Sequence, residues 1–259
     1  SANVYFGLSG SKEFKKERSF NLLEKVSLAH LTGHYPHSLS GGEQQRVALI
    51  RALAPQPKIM LMDEPFSGLD DRLRDEIRDE TFNLLRSEDA AVLMVTHDPQ
   101  EAMKVADEIA LMRDGKILQR GAPYNIYNAP VDLKALQFFS DANAIQATLQ
   151  GSLADTPFGQ FFAPGLSDGT NIDIVFRPQH VRIDFDRKGR GPLPTASQGI
   201  AARGIVNRAR FVGNESLIEF EMDFGVSIKA SVPNVFLPNP GHPLWLTVPR
   251  DKCYIFPKS

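Results

Sequence analysis

The segment Ser38–Pro65, SLSGGEQQRVALIRALAPQPKIMLMDEP, decides how the rest of the chain is read. Ser40 is a favoured helix N-cap and Glu43 stands three residues later, the spacing of a capping box. A helix is therefore expected from Gly41 to about Ala54, ending where Pro55 and Pro57 forbid continuation. Lys58–Met62 reads as a short buried strand that delivers Asp63 and Glu64 at its carboxyl end. Two glycines at the start of a helix expose backbone N–H groups that lack partners within the helix. The helix dipole adds positive potential there, so an anion would be stabilised, with the Ser40 hydroxyl as a further donor. A capped helix with a flexible entry is the other reading of the same residues. Asp63 is suited to a magnesium ion and Glu64 to orienting or deprotonating a water, although acidic residues also begin ordinary loops.

Outward from this segment the pattern alternates helices with short apolar runs. Residues 12–31 are expected to be helical, with Phe20, Leu23, Val26 and Leu31 forming an apolar stripe. A second helix, Asp71–Ser87, places Leu73, Ile77, Leu84 and Leu85 on one face. Ala90–Thr96 reads as another buried strand, followed by a helix that begins near Pro99. Ile109–Met112 and Ile117–Gln119 flank a tight turn at Asp114–Gly115, and short helices follow near 123–128 and 132–139. Beyond residue 140 the regime changes. NIDIVFRPQHVRIDF, ARGIVNRARFVGNESLIEFEM, VSIKASV and PLWLTVP alternate apolar and polar residues, as strands of a small barrel or sandwich do. The expected fold class is α/β with a parallel sheet, followed by a small all-β domain. The expected domains are 1–140, comprising a helical part to about 55 and a core from 56, and 141–259.

SGLD at Ser67–Asp70 reads locally as a turn with Asp70 capping the next helix. VLMVTHD places His97 just past a buried strand, where it serves either the local structure or a γ-phosphate. Each motif alone is weak. In this order, each at the end of an element that points into one crevice, they are specific. Leu39–His97 resembles the second half of an ABC-transporter ATPase: LSGGEQQR its signature motif, IMLMDEP its Walker B strand, SGLD its D-loop and VTHD its switch-histidine loop. The resemblance implies the fold of a partial P-loop NTPase of ABC type. It implies that Ser40, Gly41 and Gly42, with Glu43 and Gln44, meet the nucleotide held by a second ATPase subunit. Asp63 would serve Mg2+, Glu64 the attacking water and His97 the γ-phosphate, with Ser67 and Asp70 communicating across the dimer interface.

A phosphate-binding loop reads G-x-x-x-x-G-K-[ST]. The nearest match, around RDGKIL, has Ala110 in place of the first glycine and Ile117 in place of the hydroxyl. NVYFGL near the start resembles the segment just after the family's Q-loop. The sequence is therefore expected to be part of a longer protein, one that as given neither holds ATP tightly in the usual pocket nor hydrolyses it.

Residues 174–183 and 202–222 resemble the TOBE-type domain of importer ATPases, an OB-like β-barrel, with Arg177, Pro178 and His180 in its Arg-Pro pattern. A rigid turn with arginine on a solvated face is the plain alternative. Trp245 and Cys253 are read as core residues. GHYPHSLSGGEQQR and DEPFSGLDDRLRDEIRDE look most like ferric-iron importer ATPases, while polyamine, sulfate and sugar importers share nearly the same motifs.

The implied cofactors are ATP and Mg2+. The implied partners are a second ATPase subunit, as a homodimer, membrane permease subunits and, indirectly, a solute-binding protein. The implied place is the cytoplasmic face of the inner membrane. Bulk properties agree with this picture. The formal charge of -2 offers nucleic acid no general attraction, and no basic surface with interleaved aromatics favours it. One cysteine leaves no internal disulfide framework and fits a reducing compartment. No apolar run approaches the roughly 18 residues that span a membrane, and no signal peptide is visible at the start. A soluble ABC ATPase of DNA repair or translation would carry a coiled-coil insertion or duplicated cassettes, which the chain lacks. A regulatory module binding a small ligand through 141–259 is the third reading.

Overall fold

The computed structural model describes residues 2–185, 189–197 and 199–258, with the side chains of 71–73 outside the description. It divides into two compact units, residues 1–107 and 108–259. The fold class is the expected one, helices with a parallel strand pair followed by an all-β region.

In the first unit, the short α1 (Ala2–Tyr5) precedes α2 (Lys12–Lys25), capped by the Ser11 hydroxyl, which accepts from the Phe14 amide at 3.1 Å. The expected helix over 12–31 stops early. Ser27 turns to a φ of 59°, and the Leu28 and Ser27 amides bond back to Leu23 O at 2.8 Å and Glu24 O at 3.0 Å. This is a Schellman motif, with Leu28 buried beyond it. Only a single 3-10 turn, Ala29–Leu31, follows. α3 (Gly41–Leu53) begins at Ser40 with the expected capping box and ends before Pro55.

α4 (Asp71–Ser87) buries Ile77, Leu84 and Leu85, whereas the Leu73 side chain lies outside the described residues. α4 also ends in a Schellman pair, Ala90 N to Leu85 O and Asp89 N to Arg86 O, with Asp89 at a φ of 54°. Leu22, Leu23, Ile50, Leu53 and Leu85 pack one core shared by α2, α3 and α4. Glu88, just past α4, is paired with both Arg18 and Lys25 of α2, the latter at 2.5 Å. Arg18 reaches on to the Leu53 and Ala54 carbonyls at the end of α3.

β1 (Ile59–Asp63) and β2 (Ala91–Val95) pair in parallel, Asp63 against Val95. Their apolar composition predicts buried strands, but one face of each is exposed. Met60 is 6% exposed, but Ile59, Leu61, Leu93 and Val95 on the other face are 57–71% exposed. Helices cover one face of the pair, and among the described residues nothing packs on the other. α5 (Pro99–Val105) closes the unit, its N-cap Asp98 and first-turn proline as expected.

In the second unit, β3 (Ile109–Arg113) and β4 (Lys116–Gly121) form the expected hairpin. Asp114 and Gly115 take φ of 50° and 73°, the two positive values of a type I′ turn. α6 (Pro123–Asn128) and α7 (Leu133–Phe139) follow as expected. Arg113 pairs with the N-cap of α7, Asp132, at 2.7 Å.

Two antiparallel five-stranded sheets then face each other across one core. The first, in the order β14-β8-β5-β6-β7, comprises β5 (Asn143–Gln150), β6 (Leu153–Thr156), β7 (Gly159–Phe162), β8 (Asn171–Phe176) and β14 (Cys253–Pro257). The second, in the order β12-β11-β10-β13-β9, comprises β9 (Arg182–Phe185), β10 (Ala202–Phe211), β11 (Glu215–Met222), β12 (Ser227–Pro233) and β13 (Pro243–Thr247). Ile145, Leu149, Phe158, Ile174 and Phe176 meet Val206, Ile218, Phe220, Ile228 and Leu246 between them. Cys253 is partly buried against this core, whereas Trp245, between the buried Leu244 and Leu246, is half-buried and not part of it.

Candidate functional site

The loop after β1 carries the first half of the site. Glu64 is a non-glycine residue at a φ of 43°, immediately before Pro65. That conformation costs on the order of 1–3 kcal/mol and persists only where the surroundings enforce it. Three contacts do so. The Glu64 amide donates to Val95 O at 2.9 Å, extending the parallel ladder. Its carbonyl accepts from the Ser67 amide at 3.2 Å and hydroxyl at 2.9 Å. Phe66 and Leu69 are then drawn into a small core with Ile77, Phe82 and Met94. The buried pair leaves Ser67 and Gly68 on the outside, Gly68 at a φ of 81° that favours glycine.

This turn aims the Glu64 carboxylate at the neighbouring strand end. Glu64 Oε1 lies 2.8 Å from His97 Nδ1. The hydrogen bond and charge of Glu64 raise the His97 pKa above its ordinary 6.5; burial opposes this weakly, and Asp98 and Glu101 add to it. Both side chains stay open to solvent, at 75% for His97 and 44% for Glu64, so a ligand can reach the pair. Behind His97 stand Thr96, part of VTHD, and Glu101, which motif reading did not single out. The Thr96 hydroxyl donates to Glu101 Oε2 at 2.7 Å and accepts from the Asp98 amide at 3.0 Å. Asp98 caps α5 through the Gln100 and Glu101 amides at 2.8 and 3.3 Å. Arg74 ties the two loops together, donating to Leu69 O at 2.8 Å and lying 3.8 Å from Asp98. Glu101 is buried; its place three residues after the N-cap Asp98 is the sequence signal that points to it.

Asp63 stands exposed at the end of β1, beside Glu64. Among the described residues no group of three or more His, Cys, Asp or Glu side chains converges on a point. A carboxylate of this kind, a hard oxygen donor with room in front of it, fits a cation such as Mg2+ that takes its remaining ligands from water and phosphate. Asp70 O accepts from the Arg74 amide at 2.9 Å, as expected of a residue that opens α4.

At the start of α3, Ser40 and Glu43 are mutually engaged. The Ser40 amide and hydroxyl each donate to Glu43 Oε2 at 2.8 Å, and the Glu43 amide points back at Ser40 Oγ at 3.4 Å. The Ser40 backbone and hydroxyl bonds hold the Glu43 carboxyl below its usual range. Gln44 donates to Leu39 O at 2.9 Å. The cap leaves the Gly41 and Gly42 amides without a hydrogen bond to the described residues. A Cβ on Gly41 would meet nothing within 4 Å, so packing within the chain gives no reason for glycine there. Ser40 to Gln44 share no hydrogen bond or ion pair with Asp63, Glu64 or His97 among the described residues. The two clusters are thus not joined by any such contact.

In the second unit the plain alternative for Arg177 is corrected as to the solvated face, while its rigid turn is present. Arg177 is 1% exposed rather than on a solvated face. Its guanidinium donates to Ser140 Oγ at 2.8 Å, Tyr254 Oη at 2.8 Å and Tyr127 O at 2.6 Å, and it stacks 3.7 Å over the Tyr127 ring. Pro178–His180 forms the rigid 3-10 turn that delivers it.

Comparison with known proteins agrees with both regions. The family model described as ABC transporter matches residues 8–67, and the model described as TOBE domain matches 174–256. An Fe(3+) ions import ATP-binding protein of Pseudomonas fluorescens is 39% identical over 215 residues, 82% of this chain and 58% of that protein. One from Serratia marcescens is 41% identical over 228 residues, 83% of this chain and 66% of that protein. A spermidine/putrescine import ATP-binding protein of Pseudomonas fluorescens is 34% identical over 264 residues, 98% of this chain and 71% of that protein. The chain spans between about half and about two thirds of the length of the first relatives it matches. With a signature-type helix start, a strained Glu64 beside His97, and relatives of this kind along most of its length, the chain belongs to the ABC transporter ATP-binding protein family, with a TOBE domain in its C-terminal region.

Proposed function

We propose that this chain is the signature-to-TOBE portion of the ATP-binding subunit of an ABC importer, a protein that hydrolyses ATP to drive solute uptake. The observation that carries the reading is the Glu64–His97 pair, 2.8 Å apart at the ends of two parallel strands, with Glu64 held at a strained φ. Glu64 takes the proton of the attacking water as general base, and His97 holds the γ-phosphate and the base in register. Asp63 holds Mg2+, which neutralises phosphate charge when bound. The unpaired Gly41 and Gly42 amides, with Ser40, Glu43 and Gln44, receive the nucleotide of a second subunit, and Ser67 and Asp70 lie at the boundary between subunits.

In this reading residues 1–140 are the ATPase portion and 141–259 the TOBE-like domain. The partners are a second copy, membrane permease subunits and, through them, a solute-binding protein, at the cytoplasmic face of the membrane. Among the described residues no helix is long and apolar enough to cross a membrane, so attachment runs through the permease. Iron import by two of the relatives makes ferric iron the first solute to test, and polyamine import by the third makes spermidine the second. The test is uptake of each by vesicles carrying the longer protein and its permease, with ATP inside. ATP-dependent uptake of one of them is the expected result; no ATP-dependent uptake and no hydrolysis would contradict the proposal.

A further inference from the structure

Glu64 is held from two sides. Its carbonyl accepts from the Ser67 amide and hydroxyl, and its carboxylate meets His97 Nδ1. The first contact belongs to the SGLD turn, the second to the loop between β2 and α5. Arg74 bridges these two segments. Its Nη2 donates to Leu69 O at 2.8 Å, and its Nη1 stands 3.8 Å from Asp98 Oδ2. Leu69 follows Ser67 by two positions, and Asp98 follows His97 directly. Glu64, the turn, Arg74, Asp98 and His97 thus form a closed ring of contacts, in which the guanidinium is the one link that belongs to neither loop.

Both anchors of this link are fixed by their own surroundings. The Leu69 side chain is buried with Phe66 and Ile77, which holds its carbonyl in place. Asp98 directs Oδ1 at the Gln100 and Glu101 amides, at 2.8 and 3.3 Å, and its own amide donates to Thr96 Oγ1 at 3.0 Å. Oδ2 is the oxygen that faces Arg74. Helix stability gives no reason for arginine here. The Arg74 amide donates to Asp70 O at 2.9 Å, which places it in the first turn of α4, where the helix dipole disfavours a cation. A planar fork, unlike the point charge of lysine, suits two acceptors on different segments. The Arg74 and Asp98 side chains are only 27% and 29% exposed, so solvent ions screen the pair incompletely. A second tie between the same helices, Lys104 Nζ to Asp75 at 3.0 and 3.2 Å, stands in the last turn of α5. Lys104 shares no hydrogen bond or ion pair with either loop among the described residues.

We propose that Arg74 is a positioning residue that ties the SGLD turn to the His97 loop, so that displacement of the turn at a subunit boundary shifts His97 relative to Glu64. The inference rests on the reading of Glu64 and His97 as base and phosphate contact, and extends it to what sets the distance between them. Arg74 acts through Leu69 and Asp98 and meets no reacting atom.

The test has two arms. In this chain, without nucleotide, the His97 ring resonances are followed against pH by NMR in the parent and in Arg74→Met. Removing a positive charge can by itself only raise the His97 midpoint, whereas loss of the Glu64 contact lowers it toward the ordinary value. The expected result is a lower midpoint in Arg74→Met and an unchanged one in Lys104→Met, with circular dichroism to show that both fold. The second arm is ATP hydrolysis by a full-length import ATP-binding protein that carries this sequence. There kcat should fall about tenfold in Arg74→Met, with KM within about threefold of the parent, and stay within about twofold in Lys104→Met. Asp98→Asn keeps an N-cap on α5 and should match Arg74→Met in kcat, standing in for it if that variant does not fold. The double variant should cost no more than either change alone. If Glu64→Gln keeps its turnover, the base reading falls, and the resonance arm still judges the tie. A midpoint that rises or stays unchanged in Arg74→Met, equal effects in Lys104→Met, or additive losses in the double variant would each overturn the proposal.

Discussion

Glu64 Oε1 and His97 Nδ1 stand 2.8 Å apart although the residues are 33 positions apart in the chain. The parallel pairing of β1 with β2 sets the register, and the positive φ of Glu64 supplies the aim. The contact has a titration signature. Glu64 raises the His97 pKa above 6.5, so the charged form of His97 persists to higher pH than in an unfolded chain. The stabilisation is present below the unfolded pKa and is lost as pH rises through the folded one. In Glu64→Gln the midpoint should move down toward the ordinary value, as followed by the His97 ring resonances in NMR. An unchanged midpoint would show that the contact does not persist in solution.

Glu88 makes a prediction of the opposite sign. Burial pushes its pKa up, but bonds and charge from Arg18 and Lys25 outweigh this and leave it below 4.5. Its contribution is therefore present above 4.5 and lost as pH falls through the lowered value. Glu88→Gln should cost about 1–3 kcal/mol at neutral pH, with the gap to the parent chain closing in acid. Urea denaturation at pH 7 and pH 3.5 measures this.

Much of the fold could be read locally. The Ser40–Glu43 box, the Asp98–Pro99 helix start and the Asp114–Gly115 turn are each fixed by residues within four positions, and the structure has all three. What escaped depends on distant partners. The helix over 12–31 stops at Ser27 because burying Leu28 outweighs a serine in the left-handed region. β5 to β7 were not singled out, although Ile145, Ala147 and Leu149 alternate with Gln146, Thr148 and Gln150. Strands of four residues between glycine turns, such as β6 and β7, give too few periods to register. In the site, the motifs named Glu64 and His97, but their contact required the β1–β2 register. Thr96 lies within VTHD, but its contact with Glu101 could not be read from that motif.

Arg177 shows the same limit. Its partners Ser140, Tyr127 and Tyr254 lie 37 to 77 positions away, so no local pattern marks it as buried. Arg177→Met should destabilise the second unit by about 1–3 kcal/mol, since three acceptors are left unpaired. Arg177→Lys should recover little of this, because a point charge cannot reproduce the planar fork. Hydrogen exchange should show loosened amides over 123–140 in both variants.

Leu61 and Leu93 are directly paired and 71% and 62% exposed. Leu61→Glu should change folding stability by about 0.5 kcal/mol or less, while reducing concentration-dependent association measured by light scattering. A large loss of stability would show that this face is covered in solution.

The measurement that bears most directly on the assignment of Glu64 is magnesium-dependent ATP hydrolysis by a full-length import ATP-binding protein that carries this sequence, comparing the parent with Glu64→Gln. If Glu64 is the general base beside His97, turnover should fall roughly 10²- to 10⁴-fold while nucleotide still binds. Turnover within a few-fold of the parent would contradict the assignment.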